Sequence, residues 1–367
     1  MRILYFSRDY TTHDHRYLSA LAGTEHQIAY LRLEQRGHPL EDRALPPEIE
    51  QVGWAGGKAP AALRDGPRLL MDLKRVIRQV KPDLIQAGPI QRCAFLAALS
   101  GFRPIVSMSW GYDLLHDARR SRAWEWATRY TLKHSAALVG DCNTIRQLAI
   151  SYGMPNERIV TFPWGVDIQH FTPPSDSALQ PPVEGQPFTI LSTRGWEPIY
   201  GVDVIARAFV ATAQLHPELH LLMLGNGSQA AQLRRTFTQG GVDDRVHCPG
   251  QVGQADLPRY YRSADLYVSA SHSDGSSISL LEAMACGRPA LVSDIPGNRE
   301  WVTPGENGWW FTDGDAQALT RGILQAVEQR QALPAMGLRA RQVAEARADW
   351  QKNFLELEKA YQIAAGK

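Results

Sequence analysis

Cysteine is scarce in this chain. Cys93, Cys142, Cys248 and Cys286 are scattered through 367 residues. They show neither the paired spacing of a metal site nor the density of a disulfide scaffold, and read as reduced thiols of a cytoplasmic protein. No apolar run reaches the roughly 18 residues that would span a bilayer. The opening stretch MRILYFSRDY reads as a strand and its loop, without a signal-peptide pattern. Charge of one sign is also missing: 39 Lys and Arg face 38 Asp and Glu, which argues against a nucleic-acid-binding surface.

What is present suits two ordinary globular domains, with 44% apolar and 21% charged residues. The near-neutral total hides an imbalance, +5 over residues 1–173 and −4 over residues 174–367. Arg64–Lys81 holds six bases against two acids, and His116–Ser135 mixes bases with Trp124 and Trp126. These stretches read as solvated helix faces. The sharper alternative is a patch that touches an anionic membrane, where the protein would work peripherally at its inner face.

Short apolar strands alternate with amphipathic helices from Arg2 to Val166, the pattern of a parallel sheet covered on both faces. Residues 174–187, rich in Pro and Ser, read as a linker. The alternation then restarts at Phe188. The expected organisation is an α/β chain: a Rossmann-like domain over residues 1–173, a second over 188–345, and a terminal helix over 346–367. In such sheets ligands bind outside the carboxyl ends of the strands.

The most informative segment is SHSDGSSISLLEAMACGRP, Ser271–Pro289. Asp274 precedes a Gly275-Ser276-Ser277 turn, and Ile278 opens a helix that carries Glu282. The first-turn N–H groups of a helix lack intrahelical partners and face an anion readily, and small residues leave room for it. This segment resembles the donor-site motif of the GT4 family of retaining glycosyltransferases, with Asp274 where the family usually has Glu. The resemblance covers nearly the whole chain. It implies the GT-B architecture, two Rossmann-like domains facing a central cleft, with the last helix returning to the first domain.

The resemblance further implies transfer of a sugar from a nucleotide diphosphate sugar, UDP- before GDP-, to a hydroxyl acceptor such as a lipid-linked or cell-surface glycan precursor. Configuration would be retained, with no metal and no cofactor; no D-x-D pattern lies in a suitable loop. Arg194 is expected to hold the diphosphate as it leaves, Asp274 to orient the donor sugar and Glu282 to grip the ribose. Tyr200 stands where the family has a Lys. Gly225, Gly250 and Val252 fall in loops that border the nucleotide. His13 and Arg16, at a helix start, are candidates to meet the donor sugar or phosphate, with Asp14 expected as the helix cap. Asp113 matches a family G-x-D near the acceptor. Glu300 is read as support for the donor loop, and Trp309 and Trp310 as packing. The alternatives are an epimerase or phosphorylase of the same fold, and a non-catalytic nucleotide-sugar-binding protein.

Overall fold

The computed structural model describes residues 1–35, 41, 43–174 and 186–366. The linker expected at 174–187 lies almost wholly outside them. The described chain forms two compact units, Met1–Phe162 with Phe354–Lys367, and Pro163–Asn353. Residues 163–173, expected in the first domain, belong to the second. Val166 bridges Asp349 there, and Phe171 is buried in that unit's core.

The first unit is built on strands β1 (Arg2–Ser7), β2 (Gln27–Arg32), β3 (Glu50–Gln51), β4 (Leu84–Ala87), β5 (Ile105–Met108), β6 (Ala137–Gly140) and β7 (Ile159–Thr161). All pair in parallel, in the order β3-β2-β1-β4-β5-β6-β7. Helices Thr12–Ala22, Gly66–Val80, Arg122–Lys133 and Asn143–Ser151 connect them. The terminal helix Leu357–Ala364 rests on β5, β6 and β7, and Tyr361 donates a hydrogen bond to Gln86.

The second unit holds β8 (Phe188–Ser192), β9 (Leu219–Leu224), β10 (Val246–Gly250), β11 (Leu266–Ser269), β12 (Ala290–Ser293) and β13 (Gly308–Phe311). They are again parallel, in the order β10-β9-β8-β11-β12-β13. These strands are apolar on both faces, as a sheet sandwiched between helices requires. Phe188 and Ile190 face one core cluster while Leu191 faces another, and Val268 and Tyr267 divide likewise. Burying each such side chain contributes about 1.5–3 kcal/mol. Trp309 lies within β13 and is buried, as its reading as packing anticipated.

In each sheet the strand order reverses beside the first strand, between β1 and β4 and between β8 and β11. Crevices at such reversals, outside the carboxyl ends of the strands, are where ligands of this architecture bind. In the second unit the loops that leave β8 and β11 carry Arg194 and Asp274.

Candidate functional site

Chain reversal at the β8/β11 point brings these two residues together. Arg194 Nη2 lies 2.8 Å from Asp274 Oδ2, with the arginine side chain 12% and the aspartate 20% exposed. Nη1 donates to the hydroxyls of Ser277 at 2.9 Å and Ser279 at 3.0 Å. The guanidinium carbon sits 4.2 Å from the centre of the Tyr200 ring. Burial works against the charge of Arg194, but Asp274 and the neighbouring tyrosines outweigh it and hold the guanidinium protonated above its usual range. Arg194 Nε and Asp274 Oδ2 are buried and make no hydrogen bond among the described residues. The contact between the two side chains is thus an ion pair, not an aligned hydrogen bond, and buried polar atoms left unsatisfied call for an explanation.

Helix Ile278–Ala285 starts at this cluster. Ser277 occupies the cap position with extended backbone, but its side chain makes no capping bond. It receives the Arg194 bond instead of capping the first-turn amides. The helix runs Ile-Ser-Leu-Leu-Glu-Ala-Met-Ala and is buried almost all round. Glu282 is only 3% exposed. Tyr261, from helix Leu257–Ser263, donates to Glu282 Oε2 at 2.8 Å, and its hydroxyl lies 3.0 Å from that of Thr193. Tyr267 of β11 donates to Ser279 at 2.8 Å. Burial raises both tyrosines above the usual phenol range, so they remain neutral donors. Ser276 accepts from the Trp301 indole at 3.2 Å.

Two glycines let backbones meet here. Gly201 has φ +58°, and a Cβ on it would lie 2.1 Å from the Ala270 carbonyl at the end of β11. A Cβ on Gly297 would lie 2.3 Å from the Gly275 carbonyl and 2.5 Å from that of Asp274. The loops after β9 and β10 join at Gly225, whose N–H donates to the Gly250 carbonyl at 2.8 Å. Val252 follows and packs, like Ile278, against the core that also contains Tyr261 and Leu280.

Sequence reasoning missed Tyr261, Tyr267, Thr193 and Ser279. Only Ser279 carried a signal, as a hydroxyl two places after Ser277 in an otherwise apolar run. An Asp313-Gly314-Asp315 stretch is structural: Asp315 caps helix Ala316–Glu328, and Asp313 pairs with His272 at 2.6 Å. Among the described residues no group of three or more His, Cys, Asp or Glu is arranged to hold a metal. Glu300 is half-buried, and its carbonyl accepts from Arg347 at 2.8 Å.

The remaining candidates belong to the first unit. The His13 ring lies 5.4 Å from that of Trp110, and Arg16 stands one turn further along the same helix. Asp14 is not the helix cap. Thr11 is, and Asp14 reciprocates from the third helical position in a capping box. Asp113 is buried, and its carboxylate accepts from Ser109 Oγ (2.6 Å), Ile90 N (2.9 Å) and Leu114 N (2.9 Å). That set of partners makes it a brace between the turns after β4 and β5.

The profile of glycosyl transferases group 1 matches residues 179–348, and that of Glycosyltransferase Family 4 matches residues 11–170. The chain belongs to the group 1 glycosyltransferases. Among relatives of this family, the D-inositol 3-phosphate glycosyltransferase of Xylanimonas cellulosilytica is 32% identical over 203 residues, 52% of this chain and 48% of that one. The aligned stretch thus spans about half the length of the curated relatives it matches. Sucrose-phosphate synthase from Thermosynechococcus elongatus superposes with TM-score 0.80 at 18% identity, both chains covered in full. Anabaena HepE in complex with UDP-glucose gives 0.77 at 19%, covering 100% of this chain and 99% of that one. The fold of this group 1 glycosyltransferase is therefore GT-B. Where the family pattern has a Lys, Tyr200 presents a ring face to Arg194 rather than a second cation.

Proposed function

We propose that the protein transfers a sugar from a UDP-sugar to a hydroxyl acceptor with retention of configuration. The observation that carries the reading is the Arg194–Asp274 pair set against the start of helix Ile278–Ala285, with Glu282 buried behind it. Its parts suit the reaction. The sugar–phosphate bond breaks with oxocarbenium character, and negative charge builds on the diphosphate. Arg194 and the first-turn amides meet that charge where it develops. A guanidinium can hold two phosphate oxygens at once, and Arg194 Nε is a donor without a protein partner among the described residues.

When Arg194 turns to the diphosphate, Asp274 is released toward the hydroxyls of the donor sugar. Glu282, positioned by Tyr261, accepts from the ribose hydroxyls. Gly250 and Val252 offer main-chain groups to the base. His13 and Arg16, on the first turns of helix Thr12–Ala22, are candidate substrate contacts, and Asp113 acts through the turns it braces. No residue is assigned as a covalent nucleophile, so we read the transfer as front-face, with the leaving phosphate taking the acceptor proton. Neither metal nor cofactor has a step in it.

UDP is favoured over GDP because HepE, which shares the fold, was solved with UDP-glucose. Among the described residues no helix is long and apolar enough to cross a membrane. A peripheral cytoplasmic enzyme that meets lipid-linked acceptors is the reading we adopt. The test is to incubate a panel of UDP-sugars with glycan and lipid-linked acceptors, to measure UDP release, and to read the product anomer by NMR. Retention supports the reading, and inversion or isomerised donor without an acceptor rejects it.

A further inference from the structure

The first unit has a second cationic cluster, outside the residues described above. Its sheet reverses between β1 and β4. Arg8 leaves β1, and Arg92 lies in the helical turn Ile90–Ala94 after β4. Arg92 is half-buried and forms no ion pair or side-chain hydrogen bond among the described residues. Its guanidinium carbon lies 5.8 Å from the Trp124 ring centre, and that of Arg120 lies 5.3 Å from the same ring.

Gathering guanidinium groups in this way costs free energy unless something anionic offsets their repulsion. The carboxylates at hand do so incompletely. Glu34 is committed to Arg8 at 2.5 Å and accepts from Ala61 N at 2.9 Å. Asp117 shares the field of Arg8, Arg92 and Arg120, but forms no ion pair within 4.0 Å among the described residues. Burial depresses the Arg92 pKa, and the charge on Arg8 adds to the effect. The indole offsets part of the cost, because its π face attracts cations. A planar cation fixed over an aromatic ring at the carboxyl edge of a parallel sheet is a ready donor for a doubly charged oxyanion.

We infer that Arg92 and Arg120, stacked on Trp124, bind a phosphoryl group carried by the acceptor. The acceptor is then a phosphorylated polyol or sugar, or a hydroxyl compound anchored through a lipid phosphate. This rests on the transferase reading above, because it assigns the acceptor to the first unit.

Inorganic phosphate is the probe, titrated by calorimetry into the full chain carrying Arg194→Ala, so that the donor side does not contribute. Phosphate should bind, and adding Arg92→Gln should weaken it about tenfold, the loss of one charge-assisted contact. Arg120→Gln, at an exposed position, should weaken it severalfold without threatening the fold. Arg129→Gln, which removes a guanidinium paired with Glu125 on the helix surface, should leave it unchanged. Equal binding by the Arg92 and Arg129 variants, or no phosphate binding in the Arg194→Ala background, overturns the proposal. Vesicles containing phosphatidic acid separate the two sources. Loss of vesicle binding on Arg92→Gln assigns a lipid phosphate, whereas loss confined to free phosphate assigns a soluble acceptor. UDP binding to the unmodified chain is measured separately, so failure of the transferase reading shows there and not in these titrations.

Discussion

Arg194→Ala should damage stability and turnover for separable reasons. Arg194 and Asp274 are 12% and 20% exposed, between the surface pairs that contribute under about 1 kcal/mol and the fully buried pairs whose disruption costs about 3–5 kcal/mol. Truncation leaves Asp274 without its counter-charge and removes the guanidinium donor from Ser277 and Ser279. The expected loss is about 2–3 kcal/mol, or about 5–10 °C in the melting transition of a unit of this size. Adding Asp274→Asn should recover part of it, because the stranded carboxylate is then gone. Turnover should not recover. Removing a donor aimed at developing charge typically costs about 10²–10³ in kcat, and the double variant still lacks it. Calorimetric melting and a UDP-release assay on the wild type, both single variants and the double variant form the cycle. Equal melting losses for Arg194→Ala and the double variant would refute the ion-pair account. Wild-type UDP release by Arg194→Ala would refute the role given to the guanidinium.

Three further outcomes are expected. Tyr261→Phe removes the hydroxyl that donates to Glu282 at 2.8 Å, and UDP affinity should fall by about three- to tenfold, the worth of one ordinary net hydrogen bond of about 0.7–1.4 kcal/mol; unchanged calorimetric affinity would remove Tyr261 as a positioning residue. Gly297→Ala forces a methyl against the carbonyls of Asp274 and Gly275, so both the melting temperature and UDP binding should drop, and a variant with wild-type UDP affinity would show that this loop does not shape the site. Burial, opposed by hydrogen bonds from Thr11, Ser7 and Tyr5, raises the Asp14 pKa from 3.8 to about 6. Its folded form therefore binds the proton more tightly than the unfolded chain. The stability this contributes is fully present below pH 3.8 and is lost as pH rises through about 6, an effect of about 3 kcal/mol. Asp14→Asn should flatten the stability profile between pH 4 and 7 in denaturant titrations, and parallel wild-type and variant profiles would contradict it.

The strands were legible because each is a short apolar run closed by polar or glycine residues. β1 falls on Arg2–Ser7 as read from the sequence, and the others differ by a few residues at their ends. The two-residue β3 has no such run, and β13 was missed because Trp309 and Trp310 in Gly-Trp-Trp-Phe read as packing aromatics rather than as a strand. Helix Ile278–Ala285 was visible through its composition, and Arg194 through its place after a strand. The tyrosines behind Glu282 were not visible, because a buried tyrosine looks like any core aromatic until its hydroxyl finds a partner. Asp113 shows the reverse. Its G-x-D setting suggested contact with substrate, while the structure fills its oxygens with Ser109 and two backbone amides. Asp14 was misjudged by one turn register, since Thr11 and Asp14 share the capping that a single residue was expected to provide.

The central claim is that Asp274–Glu282, with Arg194, forms a nucleotide diphosphate site. Calorimetric titration of UDP, GDP and ADP into the wild type and Glu282→Ala tests it most directly. The account predicts that UDP binds more tightly than GDP or ADP and loses at least about tenfold in affinity in the variant, as expected when a charged hydrogen-bond partner is removed. Equal UDP binding by both proteins, or no binding of any diphosphate to the wild type, would contradict it.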